Sequence, residues 1–105
     1  MSDVLVLVVE DNVKNLKLVR DVLEYAGYEV LVAESGERGV ELAGEREPDL
    51  VLMDLQLPGI DGHAALSLLR ADSTTGHIPV VALTAFAMAQ DRDRALAAGF
   101  DGYLE

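Results

Sequence analysis

The sequence predicts an α/β layered domain built on a parallel sheet. Three observations carry that prediction. Short stretches rich in Val and Leu recur at 4–9, 29–33, 50–54 and 79–83. Such short apolar runs suit strands buried on both faces. Longer stretches with apolar residues at helical spacing lie between them. The chain has 105 residues, half of them hydrophobic, which suits one compact domain with a core of its own. Alternating strand and helix implies parallel strands joined by right-handed crossovers. All strands then end on one edge of the sheet, where ligands of such sheets bind.

Each element is justified in turn. Residues 4–9 are an unbroken run of Val and Leu and form the first strand. Residues 15–26 place Leu16, Val19, Leu23 and Ala26 at helical spacing, with Lys17, Arg20, Asp21 and Glu24 elsewhere, and Gly27 stops that helix. A second strand covers 29–33. A second helix covers 36–46, with Val40, Leu42 and Ala43 inward, and Pro48 ends it. The third strand is 50–54. The third helix is 61–70, with Asp61 as its N-cap. The fourth strand is 79–83. An Ala-rich fourth helix, 88–98, is closed by Gly99. Residues 102–104 begin a short fifth strand.

Nineteen acids against eight bases give a net charge of −11. That argues against nucleic acid as a direct partner, because phosphate contacts need Lys and Arg. It is compatible with a bound cation, although most of these acids serve solubility. There is no cysteine, so disulfide and thiolate chemistry are excluded and cytosolic residence is allowed. No signal peptide opens the chain, and no apolar run is long enough to span a bilayer.

One acid is out of place. Asp54 closes the apolar run 50–53, and Pro58 and Gly59 turn the chain just beyond it. A carboxylate left in the core would be costly. At the carboxyl end of a parallel strand it is instead held by packing while facing the ligand edge. Glu10, Asp11 and Asn12 follow the first strand. If strands one and three are neighbours, Glu10, Asp11 and Asp54 converge, which is tolerable when a hard divalent cation such as Mg²⁺ binds. The alternative for Glu10 and Asp11 is that they cap the first helix and favour its dipole. It leaves Asp54 unexplained. Thr84 ends the fourth strand at the same edge, either to hydrogen-bond a bound anion or to cap a turn. His63 and His77 lack metal-ligand company and read as surface polar residues.

At these residues the chain resembles a known family. "VVEDN" at 8–12, "DLVLMDLQLPGIDG" at 49–62, "IPVVALTAFA" at 78–87 and "GFDGYLE" at 99–105 are similar to the receiver domain of two-component response regulators. The likeness is to single-domain receivers and to receivers attached to hybrid sensor kinases. It spans residues 1–105 as a single receiver domain. It implies a flavodoxin-like three-layer fold with strand order 2-1-3-4-5. It further implies that Asp54 accepts a phosphoryl group from a histidine kinase or a histidine phosphotransfer protein. Mg²⁺ or Mn²⁺ would be held by Asp11, Asp54 and the main-chain carbonyl of Gln56, with Glu10 acting through a metal-bound water. Thr84 would bond a phosphoryl oxygen. Tyr103 would be a switch aromatic that moves inward on activation; plain sheet packing with its hydroxyl at the surface is the other reading. Gln56 and Phe86 would line the path of the hydrolytic water. Partners would engage the ligand edge and the first helix near Leu16 and Val19, residues that also read as core.

The resemblance is incomplete. The family's lysine would follow Glu105 immediately, and the final helix is absent, so the domain reads as incomplete at its C-terminus. Lys14 and Lys17 read as solvated and no substitute. The expected consequences are weaker compensation of phosphoryl charge and an exposed apolar sheet face. That face predicts a homodimer, a segment swap or reduced stability. Two other functions compete with the phosphorylation switch. One is a receiver-like protein-binding module that no longer uses phosphate. The other is a small metal-dependent phosphatase, disfavoured because Gln56 stands where a second acid is wanted.

Overall fold

The computed structural model describes residues 4–83 and 89–104. Five parallel strands form one sheet in the order β2-β1-β3-β4-β5. In chain order the elements are β1 (Leu5–Val9), α1 (Val13–Tyr25), β2 (Glu29–Ala33), α2 (Gly36–Arg46), β3 (Leu50–Asp54), α3 (Gly62–Ala71), β4 (Val80–Leu83), α4 (Ala89–Ala98) and β5 (Gly102–Leu104). The expected strand order and the count of five strands and four helices hold among the described residues. The boundaries differ by a residue or two at helix starts. There the capping side chain, rather than the first apolar residue, sets the first turn.

Strand pleating divides the core in two. Leu7, Val9, Val51, Met53, Val80 and Ala82 point to one face and pack with Leu42 of α2, Leu66 and Leu69 of α3 and Ala95 of α4. Val6, Val8 and Leu52 point to the other and pack with Leu16 of α1. Burial on both faces is why these strands read as continuous apolar runs rather than alternating ones.

The helix ends follow local chemistry. Asn12 caps α1, its side chain accepting from the Lys14 and Asn15 amides at 3.0 and 3.1 Å. Asp61 caps α3 by accepting from the Ala64 amide at 2.8 Å. Gly27 ends α1 in the left-handed region with φ +96°, its amide bonded to the Glu24 carbonyl and the Tyr28 amide to that of Leu23. At the end of α2 the expected stop, Pro48, is preceded by the actual one. Glu47 adopts φ +46° and ψ +64°, a left-handed cap formed by a residue with a Cβ.

At the edge where strands begin, Arg70 of α3 ties the layers together. Its guanidinium donates to the carbonyl of Ile78 at 2.7 Å and to the carboxylate of Asp101 at 2.7 Å. The same Asp101 oxygen accepts from the Val80 amide at 2.8 Å. One carboxylate thus joins α3, β4 and the start of β5.

Two predictions follow from these contacts. Asp101→Ala leaves the Val80 amide and Arg70 short of an acceptor and lowers unfolding stability by roughly 2 kcal/mol, measured by urea denaturation. Asp101→Asn, which keeps one acceptor oxygen, loses less. Glu47→Gly relieves the left-handed Cβ and raises stability by about 1 kcal/mol, seen as a higher thermal midpoint.

Candidate functional site

The β1–β3 register builds the site. Val9 pairs with Met53, so the next residues, Glu10 and Asp54, emerge side by side at the carboxyl edge. Asp11 follows in the turn that leads to α1. Carboxylate oxygens of Glu10, Asp11 and Asp54 lie within 4.8 Å of one another. The structure thereby brings together the three acids that sequence reasoning grouped.

Their environments differ. Glu10 is buried, only 5% exposed, whereas Asp54 is half-buried and Asp11 exposed. The Asp54 carboxylate is oriented from its own loop: the Gln56 amide donates to its Oδ1 at 3.0 Å. The Glu10 carboxylate accepts from the Asn12 amide and from the Asn15 side-chain amide, both at 3.3 Å. Burial pushes the Glu10 carboxyl up from its ordinary 4.5 to about 7, and the adjacent Asp54 carboxylate pushes the same way. The two Asn contacts oppose that shift without cancelling it.

Among the described residues, no Lys or Arg forms an ion pair with any of the three acids. The donor set is therefore all oxygen, negatively charged, converging and uncompensated. It fits a hard divalent cation such as Mg²⁺. Glu10 and Asp11 do not cap α1, since Asn12 does and the first turn of that helix holds no acid. Asn15 was not legible as a site residue. Its role as a donor to Glu10 depends on where the first turn of α1 falls.

Other expected residues are placed as follows. Thr84 and Phe86 lie outside the described residues. Gln56 is exposed beside Asp54. Tyr103 lies on β5, half-buried against the core. Its hydroxyl is buried without a hydrogen-bond partner among the described residues, not at the surface. Leu16 is core, and Val19, half-buried, packs against it. The exposed apolar residues of α1 are instead Val13, Leu18, Val22 and Tyr25. His77 is exposed, but His63 is half-buried, its ring edge-on to Phe100 at 5.5 Å.

Comparison with known proteins agrees with this geometry. The family model described as the response regulator receiver domain matches residues 6–105. The chain belongs to the response regulator receiver family. The polar-differentiation response regulator DivK of Brucella ovis is 46% identical over 99 residues, covering 94% of this chain and 80% of that protein. Two solved structures superpose closely. One is the N-terminal domain of a response regulator receiver protein from Methanoculleus marisnigri, with TM-score 0.89 and 31% identity over 99% of this chain and 85% of that one. The other is the receiver domain of a Pseudomonas aeruginosa sensor histidine kinase, with TM-score 0.89 and 36% identity over 98% and 84% of the two chains. That second protein has a magnesium ion coordinated in its active-site cleft. This receiver is thus a two-component signalling domain of flavodoxin-like fold. No described helix is long and apolar enough to cross a membrane.

The Glu10 shift predicts how the metal-free receiver responds to pH. Folded Glu10 keeps its proton up to about pH 7, while the unfolded chain releases it near 4.5. Between those values the folded state binds more protons, so this group's contribution to stability falls as pH rises. The urea midpoint is expected to drop across that window. Glu10→Gln flattens the drop, and a divalent cation held by the deprotonated cluster would oppose it. A Glu10→Gln chain with the full slope would assign it to other groups.

Proposed function

We propose that this receiver is a phosphorylation switch in which Asp54 takes a phosphoryl group from a phosphohistidine. The observation that carries the reading is Asp54 itself. It is a half-buried carboxylate at the end of β3, oriented by the Gln56 amide and grouped with Glu10 and Asp11. In the transfer, an Asp54 carboxylate oxygen forms a bond to phosphorus as the phosphorus–nitrogen bond breaks. The electron pair of that bond returns to the imidazole, and Asp54 becomes an acyl phosphate. A carboxylate is a competent phosphoryl acceptor. Most of the rate in such transfers comes from positioning and charge stabilisation.

Asp11, Asp54 and the Gln56 carbonyl would hold Mg²⁺ or Mn²⁺, with Glu10 acting through water. The cation supplies neutralisation of charge on the acceptor and the phosphoryl oxygens. Thr84 donates its hydroxyl to a phosphoryl oxygen in this reading, and Tyr103 reports the phosphorylated state by its inward packing. Tyr103's buried hydroxyl, without a hydrogen-bond partner among the described residues, supports that role: such a group costs stability until it is paired.

Receivers of this family interact with histidine kinases or histidine phosphotransfer proteins. The exposed Val13, Leu18 and Val22 of α1, beside Lys14 and Lys17, are the surface proposed to receive such a partner. The domain acts as a cytoplasmic signalling component and assists only its own phosphorylation and dephosphorylation.

The test is intact mass after incubation with acetyl phosphate and Mg²⁺. One added phosphoryl group is expected in the unsubstituted chain and none in Asp54→Asn. No gain in a chain extended by the family's lysine and final helix would overturn the reading and favour a phosphate-independent binding module.

A further inference from the structure

We infer that Gly62 is a positioning residue for the acceptor edge: its missing Cβ lets α3 seat directly on the main chain between Asp54 and Gln56. The inference rests on the proposed phosphoacceptor role. A Cβ at Gly62 would stand 2.5 Å from the Asp54 carbonyl oxygen, 2.9 Å from Leu55 Cα and 3.2 Å from the Asp54 carbonyl carbon. All three are main-chain atoms, so no side chain can rotate aside. Gly62 is not among the residues of positive φ, so glycine serves here for space rather than for conformation.

The close approach makes a bond as well as a contact. The Gly62 amide donates to the Leu55 carbonyl at 3.2 Å, and the Leu55 amide donates to the Leu83 carbonyl at 3.2 Å. Both polar main-chain groups of Leu55 are therefore tied, one to α3 and one to β4. Leu55 sits between Asp54 and Gln56, and the Gln56 amide in turn orients the Asp54 carboxylate. On the other side, α3 is anchored by Leu66 and Leu69 in the core and by the Arg70–Asp101 contact. An added Cβ at 2.5 Å from main chain forces a shift, and with α3 held at these points the shift falls on the segment from Asp54 to Gln56.

The decisive comparison uses the full chain, Gly62→Ala, and Gly76→Ala as a control. Gly76 follows α3 at its far end, where a Cβ would stand 3.0 Å from the Asp72 carbonyl oxygen. Mg²⁺ dissociation constants are measured by calorimetry at a temperature where circular dichroism shows each variant folded. Gly62→Ala is expected to weaken Mg²⁺ by at least ~10-fold and to slow phosphorylation by acetyl phosphate by roughly 100-fold. Gly76→Ala is expected to lower the thermal midpoint and leave the Mg²⁺ constant unchanged. A folded Gly62→Ala with Mg²⁺ affinity within about twofold of the unsubstituted chain, well short of the shift expected for a disturbed ligand shell, overturns the inference. If Gly62→Ala does not fold, even alongside Glu47→Gly, an amide-to-ester replacement at Gly62 removes the bond to Leu55 without adding an atom. Unchanged Mg²⁺ affinity there overturns it equally. An unsubstituted chain that binds no Mg²⁺ is a separate outcome, which sinks the proposed function and this inference with it.

Discussion

The parallel pairing of β1 with β3 is the constraint on which the rest of this structure depends. Val6 through Val9 face Leu50 through Met53 residue for residue. Burial on both faces makes that register costly to change, because a slip of one residue would exchange the apolar sets of the two layers. The same register brings the first polar residues after each run to one place. Core packing and site assembly are thus one event, and the hydrophobic effect holds together carboxylates that repel one another.

The repulsion is informative about function. A buried Glu10 beside Asp54 resists ionisation, and two Asn donors relieve it only in part. No basic side chain among the described residues pairs with the cluster, although α1 carries Lys14, Lys17 and Arg20. The fold therefore retains local electrostatic strain at one edge. The arrangement is one that a hard divalent cation would relieve. Such preorganisation is the main contribution a protein makes to phosphoryl transfer.

Contacts hold α3 at both of its ends. At the edge where strands begin, Arg70 and Asp101 fasten α3 to β4 and β5. At the opposite edge, α3 begins against the backbone that follows Asp54, with Asp61 capping its first turn. The helix is a strut between a structural clamp and the candidate chemical centre. Tyr103 lies on the strand that leaves the clamp, so β5 connects the two ends.

Much of this was readable in the order of residues. Apolar runs, Asp61 as a cap, Gly27 and Gly99 as stops, and the acids after strands one and three are local signals. The physics behind them acts over a few residues. Other features turned on which of several neighbouring residues makes a given contact. Asn12 took the capping role that Glu10 and Asp11 were offered. Asn15 reached Glu10, and Leu16 went into the core rather than onto the partner surface. Pro48 gave way to Glu47 as the end of α2, where a left-handed backbone lets the Glu47 amide close on the Ala43 carbonyl. The pattern of apolar and acidic residues specified the layers and nominated the carboxylates, since burial and strand period need nothing beyond sequence spacing. Which groups touch was settled by packing. The distances among Glu10, Asp11 and Asp54 exist only once β1 pairs with β3, and the seat of Gly62 on Leu55 only once the loop from β3 to α3 closes.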